Sequence, residues 1–170
     1  MKSMSNKDIY FSSPSSENQL IGNELDSAIS DIFESKVLIL GEAVTEFEKK
    51  FSAYIGTKYC VGVNSGTDAL IISMRALGIG PGDEVITTNM SALATLASIV
   101  AVGATPVLVD VNPDMLANLD LIKNNINEKT KAVIYVHLYG DASNATDVET
   151  LCNDNNIDLI EDCAQSAGSK

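Results

Sequence analysis

Five short runs of apolar, β-rich residues recur from Tyr59 onward, and their even spacing constrains the fold more than any other feature. The runs are Tyr59–Val63, Glu84–Thr88, Pro106–Asp110, Lys131–Val136 and Ile157–Ile160, roughly 25 residues apart, which leaves room for one helix and two short loops in each interval. Regular units of this kind mean parallel strands joined by right-handed crossovers. The runs are apolar throughout rather than alternating, as strands covered on both faces should be. Turn residues fall between them, with Gly80-Pro81-Gly82-Asp83 before the second run and Gly103 before the third. The expected class is α/β, a doubly wound and mainly parallel sheet.

Upstream the period changes. Ile21, Leu25, Ala28, Ile29, Ile32 and Phe33 form one apolar face of a helix that starts after Ser15 and Ser16. Val44, Phe47, Phe51, Tyr54 and Ile55 repeat the spacing after Gly41, and Gly56 supplies the stop. Glu46, Glu48, Lys49 and Lys50 read as the wet face of that second helix. The expected organisation is a polar, Ser-rich arm over 1–15, N-terminal helices over 16–56 and an α/β domain over 57–170.

Composition narrows the function. A net charge of −12 argues against nucleic acid, whose phosphates need a basic face. No apolar run reaches the ~18–20 residues that span a bilayer, and no signal-peptide pattern is present. Cys60, Cys152 and Cys163 match neither zinc nor disulfide spacing, and His137 is the single histidine. A cytoplasmic protein without a metal site is expected.

In an open parallel sheet, ligands gather at the carboxyl ends of the strands. Asn64-Ser65-Gly66-Thr67-Asp68 follows the first run and opens a helix. Its glycine, hydroxyls and free amides suit a phosphate, although an ordinary helix cap needs the same residues. Glu161-Asp162-Cys163-Ala164-Gln165 follows the fifth run. There Asp162 could hold a protonated ring nitrogen and Gln165 could donate to a ligand oxygen. The simplest reading of Glu161 is a solvated loop residue, and of Cys163 a packing residue with no cation to activate it. His137 after the fourth run could do acid–base work, but a lone histidine is more often structural. A nicotinamide site is excluded, because no Gly-x-Gly-x-x-Gly follows the first run and the second ends in Thr87-Thr88.

Taken together, Ser65–Leu70, Gly82–Ile86, Gly103–Val107, His137–Gly140 and Glu161–Gln165 resemble, in order, the DegT/DnrJ/EryC1/StrS family of sugar aminotransferases. Tyr54–Tyr59 is similar to the family's lead-in. The resemblance runs from about Ile21 to the last residue. It implies the large domain of a fold-type I enzyme dependent on pyridoxal 5'-phosphate (PLP). It assigns Ser65, Gly66 and Thr67 to the cofactor phosphate, Asp162 to the pyridinium nitrogen and Gln165 to the ring hydroxyl. Where the family places a ring-stacking aromatic this chain has Ala92, so Met90 or Leu93 would have to cover the ring.

The resemblance further implies amination of a keto-sugar nucleotide, with glutamate as donor, by a homodimer in amino-sugar and surface-polysaccharide biosynthesis. The family's Schiff-base lysine lies past Lys170, as do two late strands and the small C-terminal domain. The expectation is therefore the front part of such an enzyme, inactive alone and without a catalytic residue of its own. A sugar dehydratase of the same family, or a binding partner with no activity, are the alternatives. The implied strand order is Lys131–Val136, Ile157–Ile160, Glu84–Thr88, Pro106–Asp110, with Tyr59–Val63 left without a neighbour.

Overall fold

The computed structural model describes residues 14–169. They divide into two compact units, one ending at Phe51 and one beginning at Ser52. Helix α1 (Pro14–Ser35) lies in the first, and α2 (Glu42–Ile55) begins there. Most of the expected arm, residues 1–13, lies outside the described residues. The apolar face anticipated on α1 forms, yet Ile21, Leu25, Ile29 and Phe33 are all exposed. On α2, Phe47 stacks on Phe51 at 5.4 Å between centroids, and Lys50 pairs with Glu46 one turn away in water.

The second unit is a sheet between two helical layers. In chain order it contains α3 (Gly66–Ala76), β1 (Glu84–Thr88), α4 (Leu93–Ala101), β2 (Thr105–Val109), α5 (Leu119–Asn125), β3 (Thr130–Val136), α6 (Ala145–Asp154) and β4 (Asp158–Asp162). Four of the five anticipated strands are present, all parallel, in the order β2-β1-β3-β4. This corrects the expected order, in which β4 lay between β3 and β1. The reason is burial. Six of the seven residues of β3 are at least partly withdrawn from water, so it takes the inner place, whereas β4 exposes Asp158 and Glu161 and flanks β3. Residues 59–63 form no strand and expose Tyr59 and Val61. Extended backbone becomes a strand only when it enters a ladder, and residues 59–63 join none with the four strands of the sheet.

Side chains alternate across the sheet and build two cores. Val85, Ala132, Ile134 and Ile160 meet Leu70 and Met74 of α3 and Ile99 of α4 on one face. Ile86, Val133 and Tyr135 meet Ile122 of α5 and Val148 and Cys152 of α6 on the other. The link from α4 to β2 turns at Gly103, whose φ of +85° and the nearness of Pro81, 3.0 Å from where a Cβ would stand, both exclude a side chain. No helix among the described residues is long and apolar enough to cross a membrane.

Two consequences are measurable. Met74 is fully buried, so Met74→Ala should cost about 2–5 kcal/mol in urea unfolding, against near zero for the exposed Leu93→Ala. Burial also pushes the Cys152 thiol up to about 11, and burial with Asp141, Glu161 and Asp114 nearby pushes the Tyr135 hydroxyl up to about 12. Both groups hold their protons longer folded than unfolded, so the stability they contribute is complete below pH 9 and declines through pH 11–12. Unfolding midpoints should hold up to about pH 9 and fall from there to about pH 12, and Cys152→Val should flatten the early part of that fall.

Candidate active site

The carboxyl edge of the sheet collects the segments singled out in the sequence. Helix α3 leads into β1 at the amino edge, so its own N-terminus lies at the carboxyl edge. Ser65 caps it in extended conformation, its Oγ accepting from the Asp68 N–H at 3.1 Å and donating to Asp68 Oδ2 at 2.9 Å. Asn64 Nδ2 donates to the same oxygen at 2.9 Å. These two bonds hold the Asp68 carboxyl below its usual range. The Ala69 N–H goes to the Ser65 carbonyl, which leaves the amides of Gly66 and Thr67 at the open end of the helix. Nothing lies within 4 Å of where a Gly66 Cβ would point. The result is an uncluttered pair of donors with the positive end of a helix dipole behind them.

Across the sheet, Asp162 closes β4. Its partner in register is Val136, which packs with the α3 core, so Asp162 lies on the α3 face. Glu161 lies on the opposite face and does not float in a solvated loop, as the sequence suggested. It belongs to β4, and its Oε1 meets His137 Nε2 at 3.0 Å. His137 is almost fully buried and edge-on to Tyr135, with 4.5 Å between centroids. The single histidine thus has a structural setting and a partner 24 residues away. Only the parallel register of β3 and β4 brings the two together.

Asp162 Oδ1 accepts from the Ala164 N–H at 3.1 Å, which turns the chain out of the strand. Gln165 Oε1 accepts from the Tyr139 N–H at 2.7 Å. That bond steadies Tyr139 at a φ of +58°, a costly conformation for a residue with a side chain. Cys163 is exposed instead of packed. Partial desolvation, reinforced by Glu161 and Asp162, pushes its thiol up, which disfavours the reactive thiolate. No group of three or more His, Cys, Asp and Glu side chains among the described residues could hold a metal ion.

The third edge segment is the start of α4. Ala92 caps it without a side-chain bond. A hollow of about 240 Å³ lies there, lined by Thr87, Thr88, Ser91, Ala92, Leu93 and Leu108 among others. Leu93 stands 78% exposed at its rim and could fold over a planar ligand.

Comparison with known proteins bears on the chain as a whole. A model of the DegT/DnrJ/EryC1/StrS aminotransferase family matches residues 19–170. A dTDP-3-amino-3,6-dideoxy-alpha-D-galactopyranose transaminase of Aneurinibacillus thermoaerophilus is 42% identical over 155 residues, 89% of this chain and 42% of the relative. The crystal structure of S. venezuelae DesV in complex with a ketimine intermediate superimposes with a TM-score of 0.88 at 37% identity, over 90% of this chain and 42% of that one. Ntda from Bacillus subtilis with bound cofactor PMP superimposes with a TM-score of 0.83 at 32% identity, over 96% of this chain and 39% of that one. The chain therefore spans about two-fifths of the length of the relatives it matches.

The cap geometry makes a direct prediction. Ser65→Ala should cost about 1 kcal/mol of stability at neutral pH. Asp68, with its lowered pKa, stabilises the helix start above the unfolded carboxylate range and loses that effect as pH falls through its folded value. Acid titration of the folded protein by carboxyl-detected NMR should place Asp68 below an ordinary aspartate, and Asn64→Ala should raise it.

Proposed function

The chain belongs to the DegT/DnrJ/EryC1/StrS aminotransferase family, whose members depend on PLP, and from that premise we propose that it supplies the phosphate-binding and ring-binding part of a sugar aminotransferase site. One arrangement supports the reading above all. The open amides of Gly66 and Thr67 and the carboxylate of Asp162 belong to the carboxyl edge of one sheet face. A dianion favours the first and a ring cation the second.

Bound PLP would supply an electron sink and a carrier for the amino group. The protein's part is then electrostatic and steric. The Gly66 and Thr67 amides hold the phosphate. Ser65 is engaged with Asp68 and shapes the turn, so its hydroxyl reaches the phosphate only by exchanging that partner. Asp162 accepts the ring N–H and keeps the nitrogen protonated. Gln165 has its oxygen committed to Tyr139, so its Nε2 is the end that would donate to the ring oxygen. Leu93 takes the covering role that Ala92 is too small to fill. The sugar nucleotide, glutamate as donor, a homodimer and a place in amino-sugar and polysaccharide biosynthesis complete the proposal. The exposed apolar stripe of α1 is consistent with self-association.

Two substitutions test it. Gly66→Ala should leave unfolding within about 0.5 kcal/mol, since the new methyl meets nothing, yet weaken pyridoxamine phosphate binding measured by fluorescence titration. In a complete enzyme that carries this segment together with the Schiff-base lysine, Asp162→Asn should lower kcat by roughly 10²-fold or more, and Glu161→Gln by far less. A worse lesion at Glu161 would mean that the two carboxylates have been assigned the wrong way round.

A further inference from the structure

Glu161 and Asp162 are neighbouring carboxylates on a strand that flanks only β3 among the described residues. A one-residue slip of β4 along β3 would exchange them, putting Glu161 on the α3 face and Asp162 on the other. Their side chains are too alike for hydrophobic patterning to prevent this. Ile160 and Leu159 are also similar in size, so packing against the two cores discriminates weakly.

His137 discriminates strongly. Its Nε2 meets Glu161 Oε1 at 3.0 Å, while its backbone N–H donates to the Asp162 carbonyl at 3.2 Å. One residue therefore grips the side chain of position 161 and the main chain of position 162. The imidazole is 3% exposed and wedged edge-on against Tyr135, whose hydroxyl is in turn bonded to Asn144 at the start of α6. Buried Nδ1 has no hydrogen-bond partner among the described residues, so Glu161 alone orients the ring by hydrogen bonding and fixes the proton on Nε2.

We propose that the His137–Glu161 pair is a register lock: it holds β4 in the one alignment that presents Asp162 to the cofactor face. Glu161 is then a positioning residue that acts through β4, and His137 the anchor that fixes it. The inference rests on the reading of Asp162 as the ring-nitrogen partner.

Glu161 is the residue to vary, since its half-exposed side chain can be shortened without opening the core. Glu161→Ala removes the lock, whereas Glu161→Gln keeps an oxygen for the Nε2–H. Two readouts are needed on the folded chain. One is native-state hydrogen exchange at the His137 amide. The other is the ring-nitrogen chemical shift of bound pyridoxamine phosphate labelled with ¹⁵N. Glu161→Ala should speed exchange roughly tenfold, the effect of losing one partly buried charge-assisted bond, and move the ring shift toward the unprotonated position. Glu161→Gln should restore most of both. A folded Glu161→Ala protein with unchanged exchange overturns the lock. So does one whose ring shift stays put while Asp162→Asn moves it. Should Asp162→Asn leave the ring shift unmoved, the cofactor reading is the part that fails, and the exchange rates still decide the lock.

Discussion

Thr130–Val136 exchanges backbone hydrogen bonds along both edges, with β1 on one side and β4 on the other, and its side chains leave water on both faces. A strand so placed must be apolar at nearly every position and must be roofed above and below, which is what the two helical layers do. The site inherits its geometry from this strand. Val136 sets which face Asp162 occupies, and His137, one residue on, reaches both members of the acidic pair. The start of α3 and the end of β4 are thereby tied to the same hydrophobic layer, through Leu70, Met74 and Ile160.

The charges at the edge are managed locally. Asp68 would oppose a phosphate if it pointed outward from the first turn of α3. Its Oδ2 is instead turned onto Asn64 and Ser65. Glu161 is drawn onto the imidazole on the far face. Of the two acidic residues that end β4, Asp162 is the one on the α3 face of the sheet, and no other side chain neutralises its carboxylate in the described hydrogen bonds.

Much of this was legible in the sequence, and the exceptions have physical causes. Even spacing and unbroken apolar runs gave the class and four of the strands. Helix period gave α1 and α2, and the Gly and Ser residues around position 66 gave the start of α3. Strand order is not legible this way, because period and composition describe one strand at a time while order is a property of pairs, and the order implied by the resemblance differs from the one formed. Tyr59–Val63 reads as a strand by composition, but β propensity is realised only against a partner. The His137–Glu161 pair escaped for a related reason. Its members are 24 residues apart, and they meet only once the register of β3 and β4 is known. The lack of an activating cation near Cys163 suggests a packing role, but the turn made by Asp162 and Ala164 leaves it exposed.

The position of residues 59–63 outside the sheet has a colloidal consequence. Tyr59 and Val61 stand about three-quarters exposed in a short, uncharged, β-prone run whose main chain enters no ladder. Such a segment is a template for the same segment of another molecule. Long-range repulsion from a net charge of −12 opposes that contact, and salt shortens its range to roughly 8 Å at physiological ionic strength. Contact between copies through this segment is therefore a balance between electrostatic repulsion and local adhesion, with ionic strength setting the point between them.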